Sequence, residues 1–277
     1  MKSATVLIVT PTLADSPFLD ATVQSILSQT FEFIHVLAVP ASRVADIRLR
    51  YPHATVVPDA GRAGGIYGAI NAALDAAPAG WGWFTYINDD DVLLPGFSEL
   101  VRRQTGGPAC GVAYGEVDLL DESNAVLTGI TIERNPRRLG ALLQSGISPL
   151  MQQGTLFSRA AVVAAGKFDL RYRLCADLDF WLRCWASGQP FTYHRTRVAQ
   201  FRLRVGQLSG DTSRTRAEQD EIVRRHLPQI AGPAARAWAV ARFRADNLPK
   251  YLRRFRRNRL QTSYAILDGS NHQRKSA

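Results

Sequence analysis

The chain has 277 residues, is 46% hydrophobic and carries a formal net charge of +10, which is enough apolar material for one large core. No apolar run reaches the roughly eighteen residues of a membrane-crossing helix, and the opening MKSATVLIVTPTL lacks the long apolar region and cleavage site of a signal peptide. Three cysteines are too few for a disulfide framework and fit a reduced, cytoplasmic setting.

The charge is lopsided. Residues 211–277 hold 15 Lys and Arg against 6 acids, whereas residues 1–210 hold 19 against 18. Attraction to polyanions therefore belongs to the C-terminal segment, and the nearly neutral body argues against a nucleic-acid-binding protein.

In chain order, ATVLIVTPT (4–12) predicts a buried parallel strand. SPFLDATVQSILSQT (16–30) has its apolar residues at helical spacing, with Ser16 as N-cap and Pro17 at the first helical position. FIHVLAVP is a second strand, ADIRLR a short helix, and ATVVPD (54–59) a third strand. GIYGAINAALDAA (65–77) is an Ala-rich helix behind a glycine-rich turn, and GWFTYIN (82–88) a fourth strand. PGFSELVRRQ then opens another helix. This alternation predicts an α/β fold whose parallel sheet is covered on both faces, with ligands bound beyond the carboxyl ends of its strands.

The second half is less regular. CGVAYGEVDLLDE (110–122) reads as a strand that VLTGITIE can pair with, followed by a helix at RRLGALLQSG and a strand at QQGTLFSR. ADLDFWLRCWASG (176–188) is an amphipathic helix, FTYHRTRVAQFRLR (191–204) looks like strands, and the last ~65 residues read as helical and arginine-rich.

Three carboxylates, Asp89, Asp90 and Asp91, stand where the fourth strand ends. Packed like charges repel, so the loop is either fully solvated or holds a divalent cation such as Mg²⁺ or Mn²⁺ beside a substrate's phosphates. PDAGRAGGIYGAIN (58–71) sets glycines before a helix start at another strand end, where backbone N–H groups and Arg62 can meet phosphate or ribose oxygens; an ordinary packing loop has the same look. Asp177 and Asp179 open the amphipathic helix, either as macrodipole-favoured acids or with one of them a general base.

Over roughly residues 5–210 these motifs, in this order, resemble family-two, GT-A-fold glycosyltransferases of bacterial polysaccharide assembly. TVQSILSQTF resembles S-V-L-x-Q-T, and PDAGRAGGIYGAINAAL resembles P-D-x-G-I-Y-D-A-M-N with extra residues inserted. YINDDDVLLPG resembles the L-N-x-D-D-x-x-x-P-G form of the DxD motif, AYGEVDLLDE resembles Y-G-D-x-x-x-x-D, and ADLDFWLR resembles A-D-Y-D-L-W-L-R. Where the family carries an acid after the second strand, this chain reads VLAVPASRVAD.

The resemblance implies a GT-A type, Rossmann-like, mostly parallel central sheet over residues 1–210, with a basic helical extension over 211–277. It implies metal-dependent, inverting transfer of a sugar from a UDP-, dTDP- or GDP-sugar to a saccharide or lipid-linked acceptor. Pro11, Asp59, Arg62, Gly65, Asn71, Asn88, Asp89 and Asp90 would contact the donor. Asp90 and Asp91 would hold the metal, with Asp89 and Asp91 as the other DxD register. Asp177 would be the base, with Asp179 as its alternative. Glu116, Asp118 and Gln153 are candidates for the donor-sugar or acceptor pocket, or polar residues that satisfy nearby backbone. Tyr67 and Trp181 read as core.

Two other readings have specific marks. A nucleotide or sugar carrier without turnover shares the fold, and a nucleotidyltransferase also uses carboxylate-bound metal. The latter carries a glycine-rich basic loop after the first strand, which TPTLADSP is not. In the tail, KYLRRFRRNRL (250–260) places Tyr251, Leu252 and Phe255 among arginines. That composition suits either an interfacial helix on the anionic inner face of the cytoplasmic membrane or a solvated helix.

Overall fold

The computed structural model describes residues 5–105, 110–204, 212–227 and 231–258. The elements run β1 (Val6–Pro11), α1 (Leu19–Leu27), β2 (Phe33–Pro40), α2 (Val44–Arg50), β3 (Thr55–Asp59), α3 (Gly65–Ala76), β4 (Trp83–Tyr86), β5 (Val92–Leu93), α4 (Pro95–Thr105), β6 (Val112–Leu120), β7 (Val126–Gly129), α5 (Leu139–Leu143), β8 (Thr155–Ser158), α6 (Arg159–Ala165), α7 (Ala176–Ala186), β9 (Phe191–Arg202), α8 (Thr212–His226), α9 (Pro233–Asp246) and α10 (Leu248–Asn258).

One sheet runs β3-β2-β1-β4-β8-β6-β9-β5, with β7 paired to β6. β1 is parallel to both β2 and β4, and β2 to β3. Every residue of β1 is buried, as expected of a strand covered on both faces. The register pairs Pro11 with Ala38, Pro40 with Asp59, and Val9 with Tyr86. Thr12, Asp59 and the loop after Tyr86 therefore leave the sheet along one edge.

The second half doubles back. β8 is antiparallel to β4 and β6, whereas β9 runs parallel to β6 and antiparallel to the two-residue β5. The strands expected over 191–204 are one long strand, which shifts register near Glu116. Gly96, just after the acidic loop, lies against this strand: a Cβ there would run into the Arg197 carbonyl. The Pro-Gly pair that ends the loop thus permits close backbone approach.

α1 begins at Leu19, so Pro17 is in the preceding turn and not at the first helical position. Ser16 does not cap the helix. Its hydroxyl donates to the Asp89 carbonyl at 3.0 Å while accepting from Phe18 N at 3.2 Å. The loop across the edge, not the helix, claims this side chain.

The C-terminal helices pack on the body. Ile222 and Leu227 join the main core, and Phe243 and Ala239 pack on Leu142. Asp246 meets the buried Arg138 at 2.7 Å, and the Asn247 side chain donates to the Ile132 carbonyl at 3.2 Å. Among the described residues no helix is long and apolar enough to cross a membrane.

Candidate active site

The three acids form a corner fastened on all sides. Their carbonyls are held in turn by the Ser16 hydroxyl on Asp89 (3.0 Å), the Arg202 Nε on Asp90 (2.8 Å) and the Thr22 hydroxyl on Asp91 (2.7 Å). Their carboxylates differ. Asp89 Oδ2 accepts from the Thr12 hydroxyl at 2.5 Å, and burial pushes this acid up to about 6. Asp90 Oδ2 accepts from Arg204 Nε at 2.7 Å. Asp91 is fully buried: Oδ1 accepts from Arg202 N at 2.9 Å, and Oδ2 from Gln153 at 2.8 Å and Asn88 at 3.3 Å. Burial first, then the charge of Asp90, raises Asp91 well above the ordinary carboxylate range.

Asp91, expected as a metal ligand, is fully buried and accepts on both oxygens from N–H donors that three segments supply. Whether the rest of the corner fits a divalent cation rests on its oxygens. Among the described residues no three His, Cys, Asp or Glu gather into a metal-holding group. An ion held by one or two carboxylates and a donor's phosphates needs no such cage. Asp90 already faces a cation, and Asn88 Oδ1 and Gln153 Oε1 are buried oxygens with no hydrogen-bond partner among the described residues. Hard oxygen donors of this kind fit Mg²⁺ or Mn²⁺, with Asp90 and Asp89 as the carboxylates.

Along the same edge, Pro11 ends β1, and Asp59 ends β3 with Oδ1 accepting from Gly61 N at 2.6 Å. Burial raises Asp59 against that bond. Gly65 opens α3 at φ +67°, a conformation that favours glycine. Arg62 stays on the outer rim, paired with Asp15 at 3.2 Å. Arg173 donates to the Arg62 carbonyl at 3.3 Å, so a second guanidinium overlies this loop. Asn71 is not a donor contact. Its buried amide gives and receives hydrogen bonds with the Phe168 backbone, both at 2.9 Å, and so clamps α3 to the segment before α7.

That segment carries Asp177 into the first turn of α7. Glu218 of α8 accepts from the backbone N–H groups of Arg173 (3.2 Å), Leu174 (2.8 Å) and Cys175 (3.0 Å), which fixes the approach to the helix. Burial pushes Asp177 up to about 6, against the Leu178 N–H and the Tyr67 hydroxyl, which favour its charged form. The Tyr67 ring is core, stacked on Phe168 at 5.5 Å, and its hydroxyl donates to the Leu174 carbonyl at 3.2 Å. Tyr86, the last residue of β4, feels the charges of both Asp177 and Asp91. Tyr86 thus lies within electrostatic range of both Asp177 and the acidic corner.

Asp179 has a different task. Arg183 and His226 occupy its two oxygens at 2.7 and 2.8 Å, tying α7 to α8. Glu116 and Asp118 sit on β6 with partners of their own: Tyr193 donates to Glu116 at 2.8 Å, and Arg197 lies 3.6 Å from Asp118. Trp181 is buried core, as expected.

Thr12, Arg202 and Arg204 were missed as site residues. A signal existed: FRLR alternates, so its arginines share one face of a strand, and a buried arginine face requires acids opposite.

No family model matches the chain, and no curated protein matches it. Solved structures do. S. aureus TarS 1-349 in complex with UDP-GlcNAc superposes with a TM-score of 0.61 at 14% identity, over 91% of this chain and 72% of that one. The mannosyltransferase PcManGT from Pyrobaculum calidifontis, in complex with GDP-Man and Mn²⁺, gives 0.58 at 15% identity over 97% and 79%. Against another TarS structure the chain spans only 43% of the length. Parallel β3-β2-β1-β4, a strand that returns beside β6 and these superpositions lead to one conclusion: the chain has the GT-A-like fold of glycosyltransferases.

Proposed function

We propose that this protein transfers a sugar from a nucleotide-diphosphate donor to an acceptor hydroxyl, with inversion at the anomeric carbon. The observation that carries the reading is the fastened acidic corner of Asp89, Asp90 and Asp91 at the strand ends where α/β folds bind ligands, with Asp177 in electrostatic range of Tyr86, the residue that ends β4. The nucleotide sugars held by the structural neighbours support it.

The donor diphosphate lies over the corner and the N-terminus of α3. Asp90 and Asp89 would hold a divalent cation, which when bound neutralises charge on the departing nucleoside diphosphate. Asp177 accepts the acceptor's proton as its oxygen attacks. A single base and direct displacement invert the configuration. Glu218 and Asn71 keep the base in position without touching substrate.

A screen of UDP-, dTDP- and GDP-sugars with Mg²⁺ or Mn²⁺ tests this, read by thermal shift and released nucleoside diphosphate. One donor should stabilise the chain by about 2.7 kcal/mol at a hundredfold excess over its Kd, and Asp90→Asn should remove the metal-dependent part. Stabilisation by a donor with no release over any acceptor would favour a non-catalytic carrier, and silence from every donor would overturn the reading.

The acceptor in this reading is lipid-linked. α10 turns Lys250 and Tyr251 toward a cavity of about 240 Å³ that also includes Met151 and Leu203, the chain neighbours of Gln152 and Arg204. Its outer side exposes Leu248, Leu252 and Phe255, each more than half accessible, beside exposed Arg253 and Arg256. An apolar ridge among arginines suits an anionic leaflet, at roughly 1 kcal/mol per basic residue. The full chain should float with phosphatidylglycerol vesicles and stay behind with phosphatidylcholine, and Leu252→Glu with Phe255→Glu should abolish flotation. Equal flotation by the double variant rules out α10 as the anchor.

A further inference from the structure

The acidic corner holds two arginines with different freedom. Arg202 is fully buried, with Nε on the Asp90 carbonyl at 2.8 Å and Nη1 on the Asp121 carbonyl at 3.0 Å. Backbone groups hold it, so it cannot leave without moving the loop. Arg204 is 32% exposed, and among the described residues its guanidinium meets only the Asp90 carboxylate at 2.7 Å and the Phe18 ring at 6.0 Å. Phe18 also carries Arg202, at 4.1 Å. Arg204 is thus a long side chain at the rim, bonded to a nearly buried carboxylate and resting on an apolar platform.

Asp90 is the carboxylate that the donor reading gives to the divalent cation, and the inference rests on that reading. A guanidinium and a divalent ion cannot share one nearly buried carboxylate without strong mutual repulsion. We infer that Arg204 is a resident counter-ion of Asp90 that is displaced when metal and donor arrive together, and that its guanidinium then pairs with the donor's diphosphate. Guanidinium suits that transfer, because its planar fork matches phosphate as well as carboxylate.

The consequence is coupling. Metal alone must expel Arg204 from the carboxylate it bonds, so metal alone binds poorly. With a nucleoside diphosphate present, metal takes Asp90 and Arg204 takes phosphate, and every charge is paired. Each ligand therefore raises the affinity of the other by the same factor.

Mn²⁺ titration of the full chain by calorimetry, with and without saturating UDP or GDP, reads this directly. Without nucleotide, Arg204→Gln should bind Mn²⁺ about tenfold more tightly than wild type, the scale of one lost charge-assisted contact. The factor by which nucleotide strengthens Mn²⁺ binding should fall by about tenfold in the same variant. Arg204→Lys keeps the charge and should keep the coupling, and adding Asp90→Asn to Arg204→Gln should erase the gain. If wild type binds Mn²⁺ and nucleotide but Arg204→Gln changes neither affinity nor coupling, Arg204 has no such role while the donor reading stands. If wild type binds neither Mn²⁺ with nucleotide nor any sugar nucleotide, the donor reading falls and this inference falls with it.

Discussion

Asp177→Asn is expected to lower kcat by about 10²–10⁴-fold, the usual contribution of a positioned general base, while leaving donor affinity near wild type. In the proposed reading the donor's diphosphate is met by the acidic corner and not by α7. The pH dependence has a definite sign. The Asp177 carboxyl, raised to about 6 by burial, is a base only when ionised. The rate should therefore fall as pH drops through about 6 and level off above it.

Stability moves the other way. In the folded chain this carboxyl keeps its proton up to about 6, whereas its ordinary value is 3.8. Between those values the folded state binds more protons than the unfolded state, so stability declines as pH rises through that window. Asp177→Asn removes the cost. Its Tm should exceed wild type at pH 7.5, by about 2–4 °C for each kcal/mol regained, and the gap should close toward pH 4. Turnover assays and thermal melts at both pH values check this. A variant that turns over normally dismisses Asp177 as the base, and one that is inactive but less stable at neutral pH points to a structural acid instead. Asp179→Asn is the control: with Arg183 and His226 on its oxygens, it should lose stability at neutral pH.

Arg202→Met should be the most destabilising single change in the corner. The substitution keeps the backbone N–H that serves Asp91 but removes the cation between Asp90, Asp91 and the Asp121 carbonyl. Removing one partner of a buried charge cluster leaves the others uncompensated and costs about 3–5 kcal/mol, or roughly 6–20 °C in Tm for a chain of this size. With the cation gone, the corner's carboxylates are harder to ionise, so the deficit should be larger at pH 8 than at pH 5. Adding Asp91→Asn should recover part of it. A loss below about 1 kcal/mol at pH 8 would mean that the corner is solvated and not sealed by Arg202.

Much of the fold is legible in local patterns. β1 to α4 follow the alternation of apolar runs and helical spacings, because strands buried on both faces must be apolar throughout. The acids after β4 and the Asp177 helix start are legible for the same reason: a charge abutting a buried run marks where the run ends. Other assignments fail in an instructive way. Asn71 lies beside a glycine-rich turn yet spends its amide on Phe168, 97 residues away. Ser16 reads as a cap but bonds a loop 73 residues away. Local spacing tells which face a side chain occupies, not which segment covers that face.

By itself, the sequence determined the strand–helix order, the edge on which three carboxylates stand, and the helix start that carries Asp177. Only the tertiary structure decided what each acid does. β9 returns beside β6 and sets Arg202 and Arg204 against residues 112 and 114 positions earlier. That contact seals Asp91, sets Arg204 against Asp90 at the rim, and depends on sheet order. Three adjacent acids look alike along a chain because their chemistry is identical. They differ in the fold because the cost of an unpaired charge depends on the burial and partners that distant segments supply.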